Sequence, residues 1–213
     1  MRAVLFDFDG TLLDSQAMVV MCYMHVFEMY RTKEEFTREL QLEVFGPPLH
    51  DEMKKLFPDQ DPDAMVAEYR NYQAGLPGTG IVHLIPHAED VLKSLAERGV
   101  RMGVVSSRLS ASCRLWMKEF ELEQYFECIL GQEQFTRAKP DPEGILKACE
   151  AMGLDPKETV YIGDNASDVF AAQRAGCISV GFVSEKGKEQ EVLDAEADHV
   201  IYDLRDLLPI VLQ

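Results

Sequence analysis

A short apolar stretch near the N-terminus, Ala3–Phe6, leads directly into two aspartates, Asp7 and Asp9. Its length and its strand-forming residues predict a fully buried β-strand. Because strand side chains alternate, both carboxylates would point to the same side, roughly 6 to 7 Å apart along the strand. Two like charges this close disfavour ionisation of both groups unless a cation lies between them. The pair therefore predicts a shared proton or a bound metal ion. The plainer interpretation is a turn at Asp9 and Gly10, with the carboxylates capping backbone N–H groups.

The charge of the chain limits the partners it can bind. Its 213 residues carry a formal charge of −16 at neutral pH, which argues against nucleic acid because phosphate backbones bind basic surfaces. An anionic ligand would also be repelled at long range, so its site would need a lysine, an arginine or a metal ion close by. We expect the ligand to be a small molecule.

The cysteines and the hydropathy indicate the cellular compartment. The five cysteines are widely spaced and include no C-x-x-C pair, which is typical of reduced thiols. The N-terminus lacks the features of a signal peptide, and no apolar run is long enough to span a bilayer. We therefore expect a cytoplasmic protein, a monomer or a homodimer, with no membrane partner.

The hydrophobic pattern divides the chain into two parts. After Asp14 it is helical, with Ser15 as a candidate N-cap of the first helix and further helices predicted over Glu34–Phe45, Leu49–Phe57 and Pro62–Ala74. From Leu84 onward helices and strands alternate, which predicts a parallel sheet covered on both faces. We therefore expect a doubly wound α/β core of residues 1–14 and 81–213. A helical insert of residues 15–80, placed as a lid after the first strand, would complete the chain.

Polar residues also follow three later predicted strands or their loops. They are Ser106 after the second strand, Lys139 in A-K-P-D-P, and Asp164 and Asp168 in G-D-N-A-S-D. In open α/β sheets, ligands bind at the carboxyl ends of the strands, so we expect these residues to gather near Asp7. Plainer interpretations are a helix cap for the serine and a solvated lysine.

These motifs resemble those of the haloacid dehalogenase-like hydrolase superfamily. D-F-D-G-T-L, an apolar strand that ends in serine, K-P-D-P and G-D-x-x-x-D occur in the superfamily's order over Asp7–Asp168. The helical insert is similar to the C1 cap of the phosphoglycolate phosphatase and beta-phosphoglucomutase-like branch. The resemblance implies a phosphatase with a Rossmann-like core that acts on a small phosphorylated metabolite, either a phosphoglycolate-type monoester or pyrophosphate.

The resemblance also implies a role for each catalytic residue. Asp7 would attack phosphorus and form an aspartyl-phosphate. Asp9 would protonate the leaving oxygen and then deprotonate the attacking water. Ser106 would hold phosphate oxygens, and Lys139 would neutralise the nucleophile and the transferring group.

A magnesium ion is the cofactor that the resemblance implies. It would bind the Asp7 carboxylate, the Asp9 main-chain carbonyl and Asp164, with Asp168 completing the acidic site. Hard cations of this kind prefer oxygen ligands. The ion would also relieve the carboxylate repulsion inferred from the first strand.

Three other functions share parts of this pattern. A beta-phosphoglucomutase-like phosphomutase uses the same motifs, which do not exclude it. A 2-haloacid dehalogenase is disfavoured by Asp9, because a leaving halide needs no proton. A non-catalytic phosphate-sensing or receiver-like domain is disfavoured because every motif residue is present and receivers have no helical insert after the first strand.

Overall fold

The computed structural model describes residues 3–45, 48–184 and 189–213. By internal contacts it divides into two compact units. One contains the described residues up to Asp14 together with Leu84–Gln213, and the other is Ser15–His83. The sequence also predicts a break between helices at residues 46–48 and a helix over Lys188–Ala195, of which Gly46, Pro47 and Lys188 lie outside the described residues.

In the part of the chain that the structure describes, eight strands form two sheets. They are β1 (Ala3–Phe6), β2 (Leu13–Asp14), β3 (His83–Leu84), β4 (Met102–Val105), β5 (Cys128–Leu130), β6 (Thr159–Gly163), β7 (Ile178–Phe182) and β8 (His199–Ile201). Six of them form one sheet in the order β5-β4-β1-β6-β7-β8, and every pair in it is parallel. β2 and β3 form a separate two-stranded sheet. The predicted doubly wound α/β class is confirmed.

The strand order defines a switch point beside β1. From β1 the sheet extends through β4 to β5 on one side and through β6 to β8 on the other. Phe6 pairs with Val104 of β4 and with Ile162 of β6, so these three strands end almost level. The carboxyl edge at such a reversal is where doubly wound folds bind ligands.

Ten α-helices accompany the strands in the described residues. In the unit Ser15–His83 they are α1 (Gln16–Tyr30), α2 (Arg38–Glu43), α3 (Leu49–Leu56) and α4 (Pro62–Ala74). In the sheet-containing unit they are α5 (Ala88–Glu97), α6 (Ser110–Glu119), α7 (Glu143–Met152), α8 (Ala166–Ala175), α9 (Glu189–Asp194) and α10 (Leu207–Val211). None of the helices in the described part of the chain has both the length and the apolar character needed to cross a bilayer.

Burial explains why the central strands are apolar throughout. Val4, Leu5 and Phe6 of β1 have no exposed surface, and all four residues of β4 are buried. Parallel strands need hydrophobic residues on both faces because helices cover both. The alternation of strands and helices after Leu84 therefore determines the architecture of this unit.

One local prediction was wrong, and two short strands were missed. The helix predicted over Glu34–Phe45 is a 3-10 turn at Lys33–Glu35 followed by α2, because the Thr37 hydroxyl accepts a hydrogen bond from Leu40 N (3.4 Å) and starts a new helix. The strands β2 and β3 were not predicted. Each has two residues, which is too short for a recognisable alternation.

We predict that Thr11→Val stabilises the fold. The Thr11 side chain is fully buried, and its hydroxyl has no hydrogen-bond partner among the described residues. An unsatisfied buried hydroxyl is costly, and valine has nearly the same shape, so the free energy of unfolding should rise by about 1 kcal/mol. Urea unfolding monitored by circular dichroism measures the change.

Thr159→Val is the matched control. Thr159 is equally buried, but its hydroxyl donates to the Asp155 carbonyl at 2.8 Å. Its replacement should lower the free energy of unfolding by about 1 kcal/mol. If Thr11→Val lowered the free energy of unfolding as Thr159→Val does, the prediction for Thr11 would be contradicted.

Candidate active site

The sheet delivers Asp7 to the carboxyl edge at the switch point. Its backbone N–H donates to the Ile162 carbonyl at 2.8 Å, which extends the β1–β6 pairing one residue beyond the strand. The residue is only 7% exposed. A carboxylate that is held rigidly and largely shielded from water needs a compensating positive charge.

Lys139 supplies that charge. Its Nζ lies 2.7 Å from Asp7 Oδ1 and 2.5 Å from Asp168 Oδ1, and its side chain is 8% exposed. Burial acts to lower the pKa of Lys139, but the carboxylates of Asp168 and Asp7 together raise it well above its usual value. Lys139 is therefore a buried ammonium group that bridges two aspartates.

Three acidic side chains converge at this point. Oxygen atoms of Asp7, Asp164 and Asp168 all lie within 4.8 Å of one another. Burial, reinforced by the charge of Asp168, raises the pKa of Asp7 to about 7, although Lys139 acts in the opposite direction. Burial and the neighbouring charge of Asp7 raise the pKa of Asp164 well above its usual value. One ammonium group does not neutralise three carboxylates, so the cluster favours a further cation.

Asp168 is the most extensively hydrogen-bonded of the three. Besides Lys139, its Oδ1 lies 3.2 Å from the Tyr161 hydroxyl, and its Oδ2 accepts from Asn165 N at 3.1 Å. The sequence pattern predicts a helix over Asp168–Ala175, but α8 begins at Ala166 because the cap at Asn165 starts the helix two residues earlier. These contacts suit a residue that orients its neighbours.

Two glycines allow the carboxylates to approach the backbone closely. Gly10 has φ +79°, and a Cβ atom there would overlap the Asp164 carboxylate. A Cβ atom at Gly163 would overlap the Asp168 side chain. Only glycine fits at either position without moving a carboxylate.

The loop that presents Lys139 is held by Glu143. Its carboxylate accepts from Thr136 N at 3.1 Å, from the Thr136 hydroxyl at 2.8 Å and from Arg137 N at 3.0 Å. The ammonium group of Lys147 lies 2.8 Å away and, with Thr136, lowers the pKa of Glu143. The first turn of α7 thus anchors the lysine loop.

Ser106 lies at the same edge, two residues after Val104. It is 1% exposed, its N–H donates to the Leu130 carbonyl at 2.9 Å, and its hydroxyl accepts from Arg108 N at 3.1 Å. The hydroxyl therefore organises the loop after β4 and does not cap α6, which begins at Ser110 without a side-chain cap, so the plainer interpretation of a helix cap was wrong. Its contact with phosphate remains a prediction.

Asp9 faces a different cation from Asp7. The Arg108 guanidinium donates from Nε to Asp9 Oδ2 at 2.9 Å and from Nη2 to Asp9 Oδ1 at 2.5 Å. The strand ends at Phe6, so strict alternation no longer governs the two aspartates and each has its own positively charged neighbour. The group of carboxylates that could share a cation, as far as the structure describes the chain, contains Asp7 and not the Asp9 side chain.

The sequence interpretation missed two residues of this site. Arg108 lies two residues after Ser106, the serine of the second motif, and that position was the available signal. Tyr161 lies in the buried strand β6, two residues before Gly163, and the signal was a polar hydroxyl in an otherwise apolar strand. Its oxygen is 3.3 Å from Lys139 Nζ.

Comparisons with known proteins agree with this geometry. A family model described as haloacid dehalogenase-like hydrolase matches residues 4–182. The chain is similar to pyrophosphatase PpaX of Halalkalibacterium halodurans, with 31% identity over 99% of this chain and 96% of the relative. PpaX of Bacillus pumilus is 30% identical, with coverage of 99% and 96%.

Solved structures show the same fold. A structure described as a predicted phosphoglycolate phosphatase from Haemophilus somnus matches with a TM-score of 0.84 and 22% identity, over 99% of this chain and 97% of its own. A haloacid dehalogenase-like family protein from Streptococcus pneumoniae matches with a TM-score of 0.82 and 21% identity, over 100% and 99%.

The raised pKa of Asp7 predicts a pH-dependent stability in chelator. The folded protein keeps a proton on Asp7 up to about pH 7, whereas the ordinary pKa of an aspartate is 3.8. The contribution of Asp7 to the free energy of unfolding therefore falls as the pH rises through this range. Asp7→Asn removes the titration, so its stability relative to the wild type should increase with pH by up to roughly 4 kcal/mol.

Urea unfolding at several pH values in chelator measures this difference. Glu150→Gln, a change at an exposed carboxylate of α7, is the control and should show little pH-dependent difference from the wild type. A constant offset between Asp7→Asn and the wild type would contradict the raised pKa.

Proposed function

Because the chain belongs to the haloacid dehalogenase-like hydrolase family, we propose that it is a magnesium-dependent phosphatase that forms an aspartyl-phosphate. The observation that carries the proposal is the cluster of Asp7, Lys139 and Asp164 at the switch point of the sheet, in which Asp7 is buried and Asp164 is half-buried. The relatives support a small phosphorylated substrate, either pyrophosphate or a phosphoglycolate-type monoester.

The proposed reaction has two steps on the same aspartate. In the first, a carboxylate oxygen of Asp7 bonds to phosphorus, the bond to the leaving oxygen breaks, and Asp9 gives that oxygen a proton. In the second, water attacks the aspartyl-phosphate while Asp9 takes its proton, which releases phosphate and restores Asp7. Lys139 keeps Asp7 oriented and offsets charge on the transferring group.

The donor set fits magnesium. Asp7 and Asp164 present carboxylate oxygens to one point, and hard oxygen ligands are those that Mg²⁺ prefers. The ion, when bound, would offset negative charge on the phosphoryl oxygens. Asp168 is engaged by Lys139 and Asn165, so we assign it mainly to orientation, and the Asp9 main-chain carbonyl remains the further proposed ligand.

The helical unit Ser15–His83 is proposed as a lid that contributes to substrate choice. It is inserted directly after the segment that carries Asp7 and Asp9. Gly78 and Gly80 near its second junction have φ values of +80° and +72°, so this stretch already uses glycine's conformational freedom.

We also propose that the protein acts in the cytoplasm. The five cysteines, all within the described residues, are free thiols, which are typical of that compartment.

The covalent intermediate is tested with two variants. Asp7→Asn should abolish turnover because the amide cannot attack phosphorus. Asp9→Asn should still be phosphorylated but should lose about two to four orders of magnitude in turnover with poor leaving groups. Rates on aryl phosphates of graded leaving-group basicity and intact-protein mass spectrometry after rapid quenching provide the measurements.

Each result separates a role from mere structural damage. Circular dichroism must show both variants folded, and Glu150→Gln should retain the wild-type rate. Turnover by Asp7→Asn above a few per cent of the wild type, or equal losses of Asp9→Asn on good and poor leaving groups, would contradict the assignments.

The metal is tested by binding as well as by activity. Mg²⁺ should raise the melting temperature of the wild type, and Asp164→Asn should weaken this binding by at least about tenfold. Glu150→Gln should bind like the wild type. Phosphatase activity should vanish in chelator and return with Mg²⁺, and excess Ca²⁺ should inhibit because it favours more ligands at longer distances. Full activity in chelator would refute the proposed cofactor.

A further inference from the structure

The Arg108 side chain is buried although it is charged. It is 7% exposed, whereas the Asp9 side chain to which it is hydrogen-bonded is 33% exposed. Its Nη1 also donates to the Ser112 hydroxyl at 3.2 Å. The Arg108 backbone is fixed as well, because its N–H donates to the Ser106 hydroxyl and its carbonyl accepts from Gln132 N at 3.0 Å. The guanidinium group is therefore held in a fixed position beside Asp9.

This pair of hydrogen bonds conflicts with the role of general acid proposed for Asp9. A carboxyl group that serves the leaving oxygen must direct one of its own oxygens at it, but both oxygens of Asp9 accept from Arg108. Arginine offers donors only and cannot pass on a proton. An Asp9 oxygen that carries the proton for the leaving group is a weaker acceptor than an ionised one, so its bond to the guanidinium must loosen during the reaction. A buried guanidinium without an anion is costly, so another anion would have to replace Asp9.

The substrate can supply that anion. The leaving group lies beside Asp9 by the nature of the reaction, and the fork of the guanidinium matches a carboxylate or a phosphate group. We propose that Arg108 is a substrate-binding residue that exchanges Asp9 for a second anionic group on the leaving group. The enzyme would then select phosphate esters and anhydrides whose leaving group is itself an anion. This inference rests on the proposed phosphatase function.

The charge distribution favours the same conclusion. A chain with a net charge of −16 repels anions at long range, so a substrate with two anionic groups needs buried local cations. Lys139 is on the side of the nucleophile, paired with Asp7, and Arg108 is on the side of the acid, paired with Asp9. The two cations would each receive one anionic group, the transferring phosphoryl group at Lys139 and the second anion at Arg108.

The alternative is that Arg108 is a permanent clamp that only holds Asp9 in place. The two possibilities differ in how a variant treats different substrates. A clamp affects every leaving group alike, because Asp9 serves them all. An exchange affects most strongly the substrates that carry the second anion.

Matched substrates distinguish the two. Phosphoglycolate and its carboxylate methyl ester have the same leaving oxygen, but only the first has a second anion, and pyrophosphate adds a phosphate leaving group. Arg108→Gln should lower kcat/KM for phosphoglycolate and pyrophosphate roughly ten- to hundredfold more than for the methyl ester. Arg108→Lys, which keeps the charge but loses the fork, should show a smaller change in the same direction.

Arg101 provides a matched control. It forms a bidentate pair with Glu127, through Nε at 3.0 Å and Nη2 at 2.6 Å, at the opposite end of β4. Arg101→Gln and Arg101→Lys should leave the ratio of kcat/KM values for the two glycolate substrates unchanged. Competitive inhibition by glycolate gives a second measurement, in which Arg108→Lys should raise the inhibition constant about tenfold or more.

The outcomes separate this inference from the function on which it rests. A wild-type enzyme that hydrolyses none of these substrates and no p-nitrophenyl phosphate would overturn both. A wild type that hydrolyses the panel, with an unchanged selectivity ratio in folded Arg108→Gln or Arg108→Lys, would overturn only the exchange. A wild type that prefers the methyl ester to phosphoglycolate would do the same.

Discussion

Repulsion among buried carboxylates is the constraint on which the arrangement of the site depends. Asp7, Asp164 and Asp168 lie within a few ångströms of one another in a region from which water is largely excluded. Burial, reinforced by the neighbouring carboxylate charges, raises the pKa of Asp7 and of Asp164, so the folded chain must hold either extra protons or extra positive charge there. Lys139 supplies one positive charge, and the remaining imbalance favours a further cation, which is why we propose a magnesium site here. Chain stability and catalysis are therefore set by the same charges.

A sheet edge can hold such a cluster because its geometry is stiff. Asp7 is hydrogen-bonded into the ladder beyond β1, and Asp164 follows β6, the strand paired with it. Side chains on a helical surface could move apart to relieve the repulsion, whereas residues fixed at the ends of paired strands cannot. Gly10 and Gly163 contribute by having no Cβ atom where the carboxylates approach the backbone. The hydrogen bonds and packing of the sheet thus offset the repulsion among the carboxylates.

How much could be predicted from the sequence follows from the range of each interaction. The strands of the core and the helices between them were predictable because their periodicity is local. The ends were less so, since the start of α8 depends on the side-chain cap at Asn165 and the start of α2 on that at Thr37. Arg108 was missed because its importance comes from a contact with Asp9, 99 residues away in the chain. No local pattern reveals which of several arginines will be buried against a carboxylate.

The two aspartates of the first motif show why separate counter-ions matter. If Asp7 and Asp9 shared one cation, any change in charge on one during the reaction would alter the other directly. Lys139 contacts Asp7, and Arg108 contacts Asp9, so each carboxylate has an electrostatic environment of its own. The roles proposed for Asp7 and Asp9, a nucleophile and a general acid, need opposite properties, and neighbouring carboxylates acquire them only when their surroundings differ. Because the guanidinium fork fits other anions as well as a carboxylate, the environment of Asp9 is also one that a substrate can change.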